Sequence, residues 1–104
     1  MVSINDIISA KDRLKNYIIC TPLVTCKSLN DQLGHTIYFK MDCLQHIRAF
    51  KARGAHNTVL KLIEEGKKPE SVVAYSSGNH AQGVAWAAAK LGISATLFIP
   101  SDAS

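Results

Sequence analysis

The chain has 104 residues, of which 47% are hydrophobic, and its 12 basic and 8 acidic side chains give a formal charge of +4. This length and composition fit one small globular domain and argue against a disordered chain. Lys67-Lys68 is the only adjacent basic pair, and aromatic residues are not interleaved with the basic ones. The pattern therefore argues against a nucleic-acid-binding surface.

The cysteines and the N-terminus bear on location. Cys20, Cys26 and Cys43 form no C-x-x-C pair, which argues against a zinc ribbon and a disulfide framework. Cys43 and His46 lie three apart, but no second pair completes a four-ligand site, so we expect no metal. No secretory signal opens the chain, and no apolar stretch approaches the roughly 20 residues of a membrane span. We expect a cytoplasmic protein without membrane contact.

Three elements are predicted before residue 50. Ser3 and Asp6 form a capping-box pattern, and apolar residues follow at helical spacing until Thr21-Pro22 excludes further helix. Gly34 has the character of a helix C-cap, and β-branched and aromatic residues follow it. The predicted elements are a helix over residues 4–17, a short helix over residues 28–33, a strand over residues 36–40 and a loop over residues 41–49.

The second half of the chain has the pattern of an α/β protein. An amphipathic helix is predicted from Phe50 to near Gly66, because apolar and polar residues fall on separate stripes. Residues 71–75 and 94–99 are predicted to be apolar strands. Between them the sequence predicts a helix of small, apolar residues that ends at Gly92. This order predicts a parallel βαβ unit. Because neither strand alternates, we expect both faces of these strands to be covered.

The turn Ser76-Ser77-Gly78-Asn79-His80 joins the first of these strands to its helix. Free amides and the positive end of the helix dipole make such a turn suitable for binding an anion, and ligands of open α/β sheets bind at the carboxyl ends of strands. An ordinary capped turn has the same composition. The residues alone leave both interpretations open.

Lys51 stands at the start of the helix that follows Phe50. A cation is disfavoured at that end of a helix, so an uncharged or covalently linked nitrogen suits the position better than an ammonium group. A solvated surface lysine is the alternative, and for an isolated lysine it is the commoner case.

The segments Phe50-Lys51-Ala52-Arg53-Gly54-Ala55 and Ser76-Ser77-Gly78-Asn79-His80-Ala81-Gln82-Gly83 resemble, in order and spacing, the two signature segments of the threonine dehydratase and serine racemase family. Thr21-Pro22-Leu23, Leu44-Gln45 and residues 87–93 resemble that family too. The resemblance implies the N-terminal part of a three-layer α/β/α fold, the type II fold of pyridoxal 5′-phosphate (PLP) enzymes. Residues 1–104 would form a single partial domain.

The resemblance also implies roles for residues around the cofactor. Lys51 would carry PLP covalently, Phe50 would lie beside its ring, and Asn79 would hydrogen-bond its phenolic oxygen. The released Lys51 amine would then remove the α-proton of the substrate.

The substrate side of the site is implied in the same way. The carboxylate pocket would be lined by Ser76, Ser77, Gly78 and His80, in agreement with the anion-binding interpretation of the turn. In racemizing members the second serine of this turn donates a proton on the opposite face, so Ser77 is a second candidate catalytic residue.

The activity implied is a threonine/serine ammonia-lyase (dehydratase), which converts a hydroxy amino acid into a 2-oxo acid and ammonia. Ala52-Arg53-Gly54 after Lys51 and His80-Ala81 after Asn79 differ from the typical pattern of the related cysteine synthases. Serine racemase and a non-catalytic truncated remnant are the alternatives. The full-length form is expected to be a homo-oligomer.

The sequence departs from the family pattern in three places. Ile47-Arg48-Ala49 stands where many relatives have Thr-Gly-Ser, and Cys26-Lys27 replaces the serine pair of the ATP-regulated racemases. The six glycines are isolated, so no glycine-rich run is present to hold the PLP phosphate. Because family members are severalfold longer, we expect an N-terminal piece of such an enzyme that is inactive alone.

Overall fold

The structure, a computed structural model, describes residues 1–103. Helices and short strands fill the first half, and a strand, a helix and a strand follow in the second. In order these are α1 (Ile4–Leu14), β1 (Leu23–Val24), α2 (Lys27–Leu33), β2 (Phe39–Lys40), two single-turn 3-10 helices (Asp42–Leu44 and His46–Arg48), α3 (Lys51–Glu64), β3 (Ser71–Tyr75), α4 (Asn79–Leu91) and β4 (Ser94–Phe98).

Helix α1 begins with the expected capping box but is shorter than predicted. The Asp6 amide donates to Ser3 Oγ at 3.3 Å, and the Ser3 amide donates to the Asp6 carboxylate at 2.7 Å. The helix ends at Leu14 rather than residue 17. The amides of Tyr17 and Ile18 both donate to the Leu14 carbonyl, which closes the helix with a turn.

Strands β1 and β2 form a two-residue antiparallel ribbon, with Leu23 opposite Lys40 and Val24 opposite Phe39. The strand predicted over residues 36–40 is therefore limited to its last two residues. The Ile37 amide donates to the Asn30 side chain at 2.9 Å, so it takes no part in the ribbon. Helix α2 agrees with the prediction within one residue.

The parallel βαβ unit is confirmed. Strands β3 and β4 pair in parallel from Ser71 with Ser94 to Tyr75 with Phe98, and α4 connects them. Gly92 ends α4 with a φ of 64°, a left-handed conformation that favours glycine. The adjoining core packs Val59 of α3 against Ala88 of α4 and Ile93.

The expectation that both faces of these strands are covered is wrong for the described residues. Val72 and Ala74 of β3 are half-buried, whereas Val73 and Tyr75 on the opposite face are 66% and 74% exposed. Helix α4 packs on one face, and no element within residues 1–103 covers the other. No helix in this part of the chain combines the length and apolar character needed to cross a membrane.

A charged network ties α3 to the N-terminal segment. Arg53 donates to both carboxylate oxygens of Asp42 at 2.8 Å, and Thr21 Oγ1 donates to Asp42 at 2.6 Å. The Arg53 hydrogen bond, aided by that of Thr21, lowers the pKa of Asp42 from 3.8 to about 2 despite partial burial, which acts in the opposite direction. A two-pronged pair of this kind is stronger than an ordinary surface pair.

This network predicts an acid-dependent loss of stability. Because the pKa of Asp42 is depressed in the fold, its contribution is complete above the ordinary value and is lost as pH falls through about 2. We expect Asp42→Asn to lower the free energy of unfolding at neutral pH by about 1–3 kcal/mol, since Arg53 loses its charged acceptor.

Urea unfolding followed by circular dichroism at a series of pH values measures this effect. Asp31→Asn is the matched control, because the exposed Lys27–Asp31 pair should contribute at most about 0.5 kcal/mol. If Asp42→Asn kept the parent's loss of unfolding free energy at acid pH, this loss would not come from Asp42.

Candidate active site

The site begins with the tight turn before α3. Ile47 and Arg48, in consecutive positions, both have a φ of 57°. This left-handed region costs a residue with a side chain roughly 1–2 kcal/mol, and a β-branched residue there is a true outlier. Arg48 occupies the position at which the family pattern has glycine, so the backbone explains that preference. The chain adopts the turn without it.

Gln45 holds this turn onto the segment after α1. Its side chain is only 2% exposed, donates to the Ile19 carbonyl at 2.8 Å and accepts from the Ile19 amide at 2.9 Å. This paired amide contact anchors one end of the turn, and buried Ala49 anchors the other. In the sequence, Gln45 is distinguished only by the family resemblance of Leu44-Gln45.

Lys51 is the first residue of α3, as predicted, and is half-buried. Its Nζ lies 5.4 Å from the centroid of the Phe50 ring, within range of a cation–π contact. Both side chains line a cavity of about 450 Å³, whose wall includes Val59, Val72 and His80. A primary amine thus stands beside an aromatic ring at the wall of a largely apolar cavity.

The turn between β3 and α4 is anchored by its backbone. The Ser76 amide donates to the Phe98 carbonyl at 3.2 Å, and the Gly78 amide donates to Ser76 Oγ at 3.3 Å. One amide of the expected anion site is therefore used within the turn. No side chain caps α4, and the first turn of a helix leaves amides without intrahelical partners. Ser77, Asn79 and His80 are exposed, whereas Ser76 and Gly78 are half-buried.

Gly83 brings the two predicted segments together, which residue patterns had not indicated. A Cβ on Gly83 would lie 3.0 Å from the Lys51 carbonyl oxygen and 3.2 Å from its carbon. A Cβ at this point would be closer to the Lys51 backbone than nearly all Cβ contacts in proteins, so glycine favours the close approach of α4 to α3. Asn79 lies one turn earlier on the same face of α4 as Gly83.

The cavity joins some of the predicted site residues and not others. Phe50, Lys51 and His80 share its wall, whereas Ser76, Ser77, Gly78 and Asn79 do not line it. Among residues 1–103 no group of three or more His, Cys, Asp or Glu side chains could hold a metal ion.

A larger cavity of about 550 Å³ lies between α1 and α3. Apolar residues such as Ile7, Leu14 and Ile18 line it, together with several lysines and Arg53. It includes neither Lys51 nor any residue of the turn before α4. The residues that line the larger cavity do not match the predicted site, so the smaller cavity is the candidate active site.

Comparison with known proteins decides the family. The family model described as "Pyridoxal-phosphate dependent enzyme" matches residues 14–104. The chain belongs to this family. Its members use PLP, and the α/β class and the type II PLP fold inferred from the sequence are confirmed.

Relatives of the chain include ammonia-lyases and racemases. It is 48% identical over 98 residues to the L-threo-3-hydroxyaspartate ammonia-lyase of Saccharomyces cerevisiae, covering 94% of this chain and 30% of that enzyme. It is 46% identical over 100 residues to the L-threonine ammonia-lyase of Thermotoga maritima, covering 96% of this chain and 25% of that enzyme. The structure of maize serine racemase superposes with a TM-score of 0.91 at 39% identity, covering 99% of this chain and 31% of that one. The chain thus spans about a third or less of these proteins.

The residues of the candidate site fit part of a PLP site. Lys51 supplies a primary amine, Phe50 supplies an aromatic surface beside it, and the cavity between α3 and β3 is largely apolar. The uncapped start of α4 supplies amide donors near the same place. These features suit the ring of the cofactor and an anionic group next to it.

Proposed function

We propose that this chain is the N-terminal segment of a PLP-dependent threonine/serine ammonia-lyase in which Lys51 binds the cofactor. The observation that carries the proposal is the approach of α4 to the Lys51 carbonyl at Gly83. It brings the backbone of Lys51 against α4, and Lys51 and His80 share the wall of one cavity. Both segments match the family motifs.

Each residue then has a defined task. When bound, PLP withdraws electrons from the substrate Cα. The released Lys51 amine would accept the α-proton, and Phe50 would lie beside the cofactor ring. Asn79 would supply a hydrogen bond to the cofactor.

The turn before α4 binds the substrate carboxylate. Ser76, Ser77, Gly78 and His80 surround the positive end of the helix, where backbone amides and the dipole favour an anion. Loss of the α-proton and the β-hydroxyl, together one water, would leave an unsaturated amino acid, which water hydrolyses to a 2-oxo acid and ammonia. Ser77 would return a proton on the opposite face if the enzyme also racemizes its substrate.

The relatives support the ammonia-lyase class and leave the substrate to experiment. Two curated relatives are L-threo-3-hydroxyaspartate ammonia-lyases, others act on threonine, and serine racemases also match. Serine racemase therefore stays the second candidate. The cytoplasmic location, the single partial domain and the homo-oligomer of the full-length form stay predictions.

We predict that lyase activity exceeds racemase activity. The test protein is a chimaera in which residues 1–104 replace the matching segment of the yeast relative, with that unaltered relative as control. A coupled assay for 2-oxo acids, run on threonine, serine and 3-hydroxyaspartate beside chiral chromatography, ranks the activities. D-Serine formation faster than 2-oxo acid formation would select the racemase alternative.

A further inference from the structure

Four aromatic rings in contact connect the elements that carry the candidate site. His56 of α3 lies between Tyr17 and Trp86, with ring centroids 4.9 Å and 4.5 Å apart and the planes tilted by 40° and 44°. His46 of the turn before α3 stacks on Trp86 at 4.6 Å with the planes 25° apart. This aromatic stack, Tyr17–His56–Trp86–His46, joins the segment after α1, the turn before Lys51, α3 and α4.

His56 is unusual within the stack because it is completely buried and neither ring nitrogen has a hydrogen-bond partner. Buried polar atoms nearly always have a partner. The groups that face His56 are Tyr17 from the segment after α1, His46 across Trp86 and Lys90 from α4. None of these three is a carboxylate, so a proton on His56 would gain no counter-charge.

The surroundings of His56 therefore favour its neutral form. Burial is the main cause that lowers the pKa of His56 from 6.5, and the positive charges of His46 and Lys90 act in the same direction. In the unfolded chain the imidazole binds a proton at its ordinary value. The stability tied to neutral His56 is thus complete above pH 6.5 and is lost as pH falls toward the depressed pKa of the folded form.

The turn beside the stack depends on external support. Ile47 and Arg48 are both left-handed, and strained backbone persists only where neighbouring contacts hold it. Gln45 supplies one such contact through Ile19, and His46 supplies another through its stacking on Trp86. If His46 lost its contact with Trp86, the strained turn would relax. The start of α3, which follows the turn, would then move as well.

We propose that the aromatic stack is a proton-sensitive positioning device, in which neutral His56 holds the turn before Lys51 and a proton on His56 opens it. His56 is a positioning residue in this scheme and touches no reacting atom. The effect on Lys51 rests on the function proposed above, whereas the opening of the stack does not.

Trp86 is the only tryptophan, so its emission reports on the stack directly. We expect the 104-residue chain, titrated from about pH 8 to about pH 5, to show a reversible red shift of emission with its midpoint below 6.5. His56→Phe and His56→Leu remove the buried imidazole and should abolish the red shift. His35→Gln, at an exposed histidine, is the control that keeps it. Circular dichroism at about pH 8 identifies whichever His56 variant remains folded.

Position 51 is followed separately by labelling with PLP and cyanoborohydride, quantified by peptide mass mapping. The labelling ratio of Lys51 to the exposed Lys61 of the same helix should exceed one at neutral pH. In the parent, this labelling ratio should fall toward one as the pH is lowered from about 8 to about 5. In the folded His56 variant, the ratio should stay constant over the same pH range.

The outcomes separate the two proposals. A red shift that survives in the folded His56 variant overturns the positioning device, whatever the labelling shows. A labelling ratio that stays constant in the parent while the emission shifts overturns the link between the stack and Lys51. Absence of preferential Lys51 labelling at neutral pH contradicts the proposed function and leaves the fluorescence test of the stack intact.

Discussion

Borohydride reduction of the PLP-loaded chimaera of residues 1–104 with the remainder of the yeast relative will leave the cofactor on Lys51. The physical reason is position: Lys51 Nζ lies beside the Phe50 ring on the wall of the cavity, and His80 near the start of α4 lines the same cavity. Lys11, Lys15 and Lys40 line the larger cavity, which includes neither an aromatic ring nor a residue of α4.

Replacement of this amine should have the largest effect on activity. We expect Lys51→Ala to lower 2-oxo acid formation by about 10²- to 10⁴-fold or more, the range for a lost acid–base group. It should also remove the reducible chromophore. Lys61→Ala, at an exposed lysine of the same helix, is the matched control and should leave both unchanged. Peptide mapping that finds the cofactor on Lys40 or Lys61 would remove Lys51 from the mechanism.

The elements predicted well from the sequence are those whose signals are local. Strands β3 and β4 were predictable because each is a short apolar run bounded by polar residues or turns. Strand β3 spans residues 71–75 as predicted, and β4 ends one residue earlier than expected. Gly34 and Gly92 end helices in the left-handed conformation, as their positions indicated. Helix α1 and strand β2 were less predictable, because their bounds depend on hydrogen bonds to the Leu14 carbonyl and the Asn30 side chain.

The residues of the candidate site were selected by resemblance, and their roles stay predictions. Motif resemblance selected Lys51 and the turn before α4, whereas the close packing of α4 on the Lys51 backbone at Gly83 had no signal in the sequence. The left-handed conformations of Ile47 and Arg48 were not predictable, because neither residue type favours them. The burial of His56 without a hydrogen-bond partner was not predictable either, because the sequence does not indicate which residues surround an isolated histidine in an amphipathic helix.

Two glycine substitutions should have opposite effects on stability. Both Gly54 of α3 and Gly83 of α4 lie inside helices, where alanine is favoured over glycine by about 1 kcal/mol. A Cβ on Gly54 would meet nothing within 4 Å, so Gly54→Ala should stabilise the chain by roughly that amount. A Cβ on Gly83 would press on the Lys51 carbonyl, which belongs to the backbone and has little freedom to move.

We therefore expect Gly83→Ala to destabilise the chain despite its better helix propensity, and Gly83→Val to cost about 1–3 kcal/mol or more, the usual range for overpacking. Thermal unfolding measures the difference, at roughly 4–8 °C per kcal/mol for a domain of this size. Because the clash falls on Lys51 itself, the preference for PLP labelling at Lys51 over Lys61 should also fall in the Gly83 variants and persist in Gly54→Ala. If Gly83→Val matched Gly54→Ala in both stability and labelling, α3 and α4 would not meet at Lys51, and the juxtaposition that carries the proposed function would be lost.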